Sequence, residues 1–225
     1  PLKQLKIKYI INPNAGTEEW IAGTQPVASP VQWQRQGSIQ NITIRCYDGS
    51  SWYNVTTVAQ GTPEYNGSSF SNWTIPDGAV KATKQAKINI TDKDDSTVTD
   101  ESNNLFLIRG STTMIKPSVA GERLIVNSTY YVNWTKTGIY SPIDLVKIEY
   151  NKNDGNWTST WSNVLNSSGN AIDASTGNFP WTVPDDLSPN VKVKLTRLAD
   201  AINVPSAISP QIKIVGSLTL TTPPQ

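Results

Sequence analysis

The chain is written nearly twice. Trp73-Thr74-Ile75-Pro76-Asp77 returns as Trp181-Thr182-Val183-Pro184-Asp185, and the segment from Leu105 to Gly110 returns from Gln211 to Gly216. Pro13, Pro117 and Pro223 each close a short apolar stretch, at intervals of 104 and 106 residues. A period of that length is the size of a small domain rather than of a solenoid repeat. Two tandem domains are therefore expected, over 1–110 and 111–216. Residues 217–225 then read as the first strand of a third repeat, or as a strand donated to a neighbour.

The local pattern within each copy is that of strands. No stretch long enough for a core helix keeps the i, i+3, i+4, i+7 apolar spacing free of Pro and Gly. Short alternating runs take its place: Ile39 to Tyr47 and Leu145 to Tyr150, each followed by an Asp-Gly turn at Asp48-Gly49 and Asp154-Gly155. Ala86 to Thr91 and Val191 to Thr196 alternate in the same way, which puts Val191, Val193 and Leu195 on one face and the lysines between them on the other. About seven such strands per copy, with no helical crossovers between them, predict an all-β chain of two tandem immunoglobulin-like antiparallel β-sandwiches. Trp33 with Trp134 and Trp73 with Trp181 recur at equivalent points, as core positions should. Trp52 and Trp157, each following an Asp-Gly turn, are expected to cover a sheet edge. Gly110 and Gly216 mark the joints, and the few residues from Arg109 to Thr113 favour a semi-rigid connection.

Composition narrows the chemistry. The chain has no histidine, which removes the Ser-His-Asp triad, the Cys-His pair and every histidine-based zinc site. Its one cysteine, Cys46, excludes an internal disulfide and reads as an inert packed thiol. Glu18, Glu19, Asp48 and Asp77 could serve carboxylate chemistry, but no spacing makes two of them face each other, so no enzyme is expected. Net charge is +1, with 19 basic and 18 acidic residues scattered along the chain, so neither a nucleic-acid footprint nor a basic membrane face is legible. No apolar run approaches the roughly 18 residues that a membrane span needs, and Pro1 opens no charged-then-apolar leader.

Four candidate features remain. Nine Asn-x-Ser/Thr acceptors begin at Asn41, Asn54, Asn66, Asn72, Asn89, Asn127, Asn133, Asn156 and Asn166, which fits an extracellular surface. Asp92, Asp94, Asp95, Asp100 and Glu101 form the densest charge; they offer either an oxygen cage for calcium or a solvated acidic turn. Trp157 and Trp161 are the candidates for stacking a sugar ring. A Lys-Asn isopeptide crosslink is a further possibility for such domains, and the spacing selects no triad.

Read in order, the landmarks form a pattern. Copy one has Pro13, Gly16, Glu18, Glu19, Trp20, Gly23, Thr24, Trp33, Asp48, Gly49, Trp73 to Asp77, Asp92, Ser102, Phe106, Ile108 and Gly110. Copy two has Pro117, Gly121, Glu122, Trp134, Ile148 to Tyr150, Asp154, Gly155, Trp157, Trp181 to Asp185, Ser206, Ile212, Ile214 and Gly216. The series resembles the tandem immunoglobulin-like repeats of large prokaryotic cell-surface and secreted proteins, with Leu124 standing where copy one has Trp20. The resemblance implies a structural extracellular module of a surface stalk, filament or adhesin, which acts as spacer or assembly unit through strand pairing. The partners it implies are further copies of itself in a filament or a longer array, and surface glycans. The alternative is a carbohydrate-binding module of a secreted or surface protein.

Overall fold

The computed structural model describes residues 6–37, 39, 41–78, 82–140, 144–152, 161–164 and 171–218. The chain divides into two compact units, Pro1–Ser111 with Thr137–Ser141, and Thr112–Lys136 with Pro142–Gln225. The loop Thr137–Ser141 thus groups with the first unit, where Tyr140 Oη accepts a hydrogen bond of 2.9 Å from the N–H of Gly110. Gly110 is buried, and Gly216 is exposed. Ser217 and Leu218 are described and form no strand; the rest of the trailing segment lies outside the described residues.

The first unit contains β1 (Lys6–Asn12), β2 (Glu19–Ile21), β3 (Val31–Gln36), β4 (Ile42–Asp48), β5 (Trp52–Val58), β6 (Ser69–Phe70), β7 (Thr83–Asp92), β8 (Thr99–Glu101) and β9 (Phe106–Arg109). A short helix, α1 (Pro63–Gly67), is started by Thr62, whose hydroxyl caps the N–H of Tyr65. One sheet runs β1-β3-β6 and the other β2-β9-β7-β4-β5, with β8 also paired to β7. This is the strand order of an immunoglobulin-like sandwich, in which β2 pairs parallel to the last strand, β9. A register shift between Ile7 and Tyr9 turns both Ile7 and Ile10 inward although they are three residues apart.

The second unit repeats the plan with β10 (Ser111–Lys116), β11 (Arg123–Ile125), β12 (Thr129–Thr137), β13 (Leu145–Asn151), β14 (Ser162–Asn163), β15 (Ile172–Asp173), β16 (Asn178–Thr182), β17 (Ser188–Arg197), β18 (Ala207–Ile208) and β19 (Ile212–Val215). Its sheets run β10-β12-β16 and β11-β19-β17-β13-β14, and β11 is again parallel to the last strand. Pro13 and Pro117, the landmarks after β1 and β10, both follow cis peptide bonds.

Inward residues of alternating strands fill each core. Ile42, Ile44 and Cys46 on β4 meet Ile88 and Ile90 on β7; Val146 and Ile148 on β13 meet Val193 and Leu195 on β17. Trp33, Trp134 and Trp181 are buried, whereas Trp73 is half-buried. The residue that takes its place in the interior is Trp20, 2% exposed, whose ring meets Trp73 at 5.8 Å and Phe106 at 4.6 Å in edge-on geometry. In the second copy the smaller Leu124 leaves room, and Trp181 goes fully inside.

One landmark pairs differently from the sequence alignment. The last strand of each unit is broken, and a serine hydroxyl spans the break. Ser102 Oγ accepts from Ile88 N at 3.1 Å while its own N–H donates to Ile88 O at 2.9 Å. Ser209 does the same with Val193, both at 2.9 Å. Ser209 is therefore the counterpart of Ser102, and Ser206, assigned that place from spacing, instead bonds Thr196.

Candidate functional surfaces

The five carboxylates of the acidic segment sit around the β7–β8 hairpin, and four of them, Asp92, Asp95, Asp100 and Glu101, have hydrogen-bond or ion-pair partners within the first unit. Asp92, 4% exposed, accepts from Asp94 N at 3.0 Å; Asp95 accepts from the N–H and hydroxyl of Thr97 at 3.0 and 2.6 Å. These two bonds hold the Asp95 carboxyl below its ordinary range. Asp100 accepts from Ile10 N at 2.6 Å, and Glu101 pairs with Lys87 at 2.5 Å. Among the described residues no group of three or more His, Cys, Asp or Glu comes together as metal ligands would. Asp92 and Asp95 turn onto the backbone two residues ahead, as Asx turns do, and Asp100 takes the N–H of Ile10.

The matching position in the second unit carries the opposite charge. Strand register equates Asp92, opposite Ile42, with Arg197, opposite Val146. Arg197 is fully buried and forks onto Asp144, with Nε at 2.8 Å and the terminal nitrogen at 2.5 Å; Lys136 approaches the same carboxylate at 3.2 Å. A bidentate guanidinium is the geometry in which a buried charge is best satisfied.

Of the two sugar-stacking candidates, Trp157 lies outside the described residues. Trp161 is half-buried, and the Lys194 ammonium stands 4.4 Å from its ring centroid. Lys194 and Lys147 both pair with Glu149, at 2.9 and 2.8 Å. Burial raises the Glu149 pKa, but the two ammonium groups outweigh it and hold the carboxyl below its ordinary value. The Trp161 ring therefore already carries a cation over one face.

The aromatic pair that faces water lies elsewhere. Tyr47 on β4 and Trp52 on β5 are register partners, with centroids 5.2 Å apart and a 38° tilt, and Trp52 is 40% exposed. Next along the same strands, Arg45 Nε donates to Asn54 Oδ1 at 3.2 Å. Sequence spacing marked Trp52 and Asn54 separately; only the strand register puts them side by side.

The remaining acceptor asparagines differ in freedom. Asn66, Asn72 and Asn127 are exposed; Asn41, Asn89 and Asn133 are half-buried, and the Asn133 carbonyl oxygen is buried without a partner. Asn156 and Asn166 lie outside the described residues.

Two further groups are structural. Cys46 is buried, and burial followed by the charge of Asp48 pushes its thiol up to about 12, so it stays protonated and unreactive. Glu18 folds back into its own loop: one oxygen accepts from Asn14 N and Ala15 N, both at 2.7 Å, the other from Gly16 N at 2.8 Å and Thr17 N at 3.1 Å. Gly16 provides the positive φ of 82° that turns these N–H groups toward one point. Burial raises the Glu18 pKa, and the ring of N–H donors more than offsets it, so the folded value lies below the unfolded one. The stabilisation is complete above the unfolded carboxyl pKa and is lost as pH falls through the folded one. Glu18→Gln should cost about 1 kcal/mol at neutral pH, water screening the rest, and should flatten the acid limb of the first unit's pH–stability curve. Urea titrations at pH 7 and pH 3 measure both.

Comparison with solved structures returns tandem immunoglobulin-domain proteins. The chain is similar to extracellular domains 3–5 of Drosophila OTK, at 13% identity and TM-score 0.35, over 96% of this chain and 67% of that one. It is similar to titin domains I67–I69, at 7% identity and TM-score 0.41, over 93% and 65%. A third match is the three N-terminal domains of the bacteriophage RB49 outer capsid protein Hoc, at 13% identity and TM-score 0.28, over 94% and 59%. The chain spans less than two thirds of the titin and Hoc structures. No protein-family model matches it, and no curated protein does. Two immunoglobulin-like sandwiches are assigned from the strand order itself.

Proposed function

We propose that the chain is a load-bearing extracellular module, a spacer or assembly unit of a surface stalk, filament or adhesin. The observation that carries this reading is the parallel pairing of an early strand with the last strand in each unit. In the first unit Glu19, Trp20 and Ile21 align with Leu107, Ile108 and Arg109; in the second, Arg123, Leu124 and Ile125 align with Lys213, Ile214 and Val215. Tension that enters at one end of a unit and leaves at the other loads such a ladder along its length, so its hydrogen bonds must fail together rather than one by one. Flanking bonds extend each ladder: Leu107 N to Glu18 O at 3.0 Å and Ala22 N to Arg109 O at 2.9 Å, then Lys213 N to Glu122 O at 2.8 Å and Val126 N to Val215 O at 3.0 Å.

The carbohydrate-binding alternative draws on Trp161, whose ring is already engaged by Lys194. The mechanical reading is tested by pulling single unglycosylated chains. Two cooperative ruptures are expected, and Lys213→Pro, which removes the Glu122 bond, should lower the rupture force of the second unit alone. Gradual, low-force extension of the parent chain, or an unchanged force in the variant, would sink the reading.

A further inference from the structure

We infer that Asn54 is an N-glycan attachment site whose first sugar packs on the Trp52–Tyr47 pair; this rests on the extracellular reading above. Trp52 and Asn54 are two residues apart on one strand, so their side chains share a face. Both are exposed, and Tyr47, the register partner of Trp52, extends the aromatic surface. Arg45 holds the Asn54 carbonyl oxygen and leaves the amide nitrogen, the atom that carries a glycan, pointing away from that bond. A pyranose linked there meets an aromatic shelf with its apolar face while its hydroxyls remain in water.

Among the described residues, Asn133 also has an exposed aromatic, Tyr131, two positions before it on β12, but its carbonyl oxygen is buried without a partner; no other described acceptor has an exposed aromatic at that spacing. The Asn89 amide nitrogen donates to both Thr99 Oγ1 at 3.0 Å and Asp100 O at 3.3 Å, so a glycan there would break one of these bonds, and that of Asn66 is tied to Gly61 O at 3.3 Å. Asn41 and Asn133 are half-buried. Asn72 and Asn127 are exposed, but the aromatic ring next to Asn72, that of Trp73, is turned onto Trp20 in the interior.

The site also lies where a glycan has a structural use. Among the described residues strand β5 pairs only with β4, which leaves its other edge without a partner strand there, and its residues WYNVTTV include no charge, proline or glycine. Such an edge invites pairing with a second chain. A branched sugar midway along it prevents that approach. In the transfer step, the Asn54 amide nitrogen bonds to C1 of an oligosaccharide carried on a polyprenyl pyrophosphate. The C1–O bond breaks with its electron pair leaving on the pyrophosphate, and the amide proton passes to a base of the transferase.

The test is secretion of the full chain, behind a cleavable signal, from a eukaryotic host that attaches N-glycans, followed by glycopeptide mass spectrometry. Asn54 is expected to be occupied. Glycosylated protein should melt on the order of 3 °C above its Asn54→Gln counterpart at the first unit's transition, and this difference should vanish when both carry Trp52→Ala. Comparing pairs within one background cancels any destabilisation that Trp52→Ala causes by itself. An unoccupied Asn54 in secreted chain, or an equal glycan-dependent rise without Trp52, would overturn the inference. Because the pulling experiment uses unglycosylated chain, its failure is separable from this one.

Discussion

Arg197→Met should destabilise the second unit by about 3 kcal/mol, because it strands the Asp144 carboxylate in a pocket where, among the described residues, Lys136 is the one cation left to compensate it. The side chain of Arg197 is fully buried and that of Asp144 only 12% exposed, so water cannot take over the lost bonds. Removing both charges, in Arg197→Met with Asp144→Leu, should recover most of the loss, since an apolar pair of similar volume carries no desolvation cost. Urea unfolding of the intact chain, with the first unit's transition as internal reference, measures both variants. A single variant that unfolds at the parent midpoint would show the ion pair to be dispensable.

The second large effect separates two tryptophans that the sequence makes equivalent. Trp134→Ala should cost about 3–5 kcal/mol, as large-to-small changes in a packed core do. The two Trp→Phe variants should then differ from each other. Trp134 Nε1 donates to Ala174 O at 2.9 Å, so Trp134→Phe leaves a buried carbonyl without its donor. Trp33 Nε1 is buried without a partner among the described residues, so Trp33→Phe removes an unsatisfied group. Trp134→Phe should therefore be the more destabilising by about 1–3 kcal/mol. Equal costs would mean that the indole bond adds nothing to packing.

The parts of the fold that follow from side-chain periodicity are legible in the sequence. Ala86 to Thr91 and Val191 to Thr196 fall within β7 and β17, and the Trp33 and Trp134 positions fall within β3 and β12. Boundaries are less so. Ile39 is buried as its apolar character requires, yet it precedes β4, and its carbonyl is taken by the hydroxyl of Tyr65 rather than by a neighbouring strand. Trp20 is not legible as a core residue, because its counterpart Leu124 is aliphatic and the repeat does not mark it. The burial of Arg197 is not legible either, because a charged residue in an alternating strand reads as outward-facing, and the partner that draws it inside, Asp144, is 53 residues away in sequence. The shelf beside Asn54 depends on the pairing of β4 with β5, which no single-strand pattern reveals.

The serine splice in the last strand of each unit has an evolutionary corollary. Ser102 precedes Phe106 by four positions and Ser209 precedes Ile212 by three, yet both serines hold the same backbone partners and both β9 and β19 return to the parallel ladder in step. A side-chain bridge tolerates what a continuous main-chain ladder cannot, the gain or loss of a residue between two paired stretches. Length variation among diverging copies can thus be absorbed at this point, leaving the parallel terminal ladder in frame.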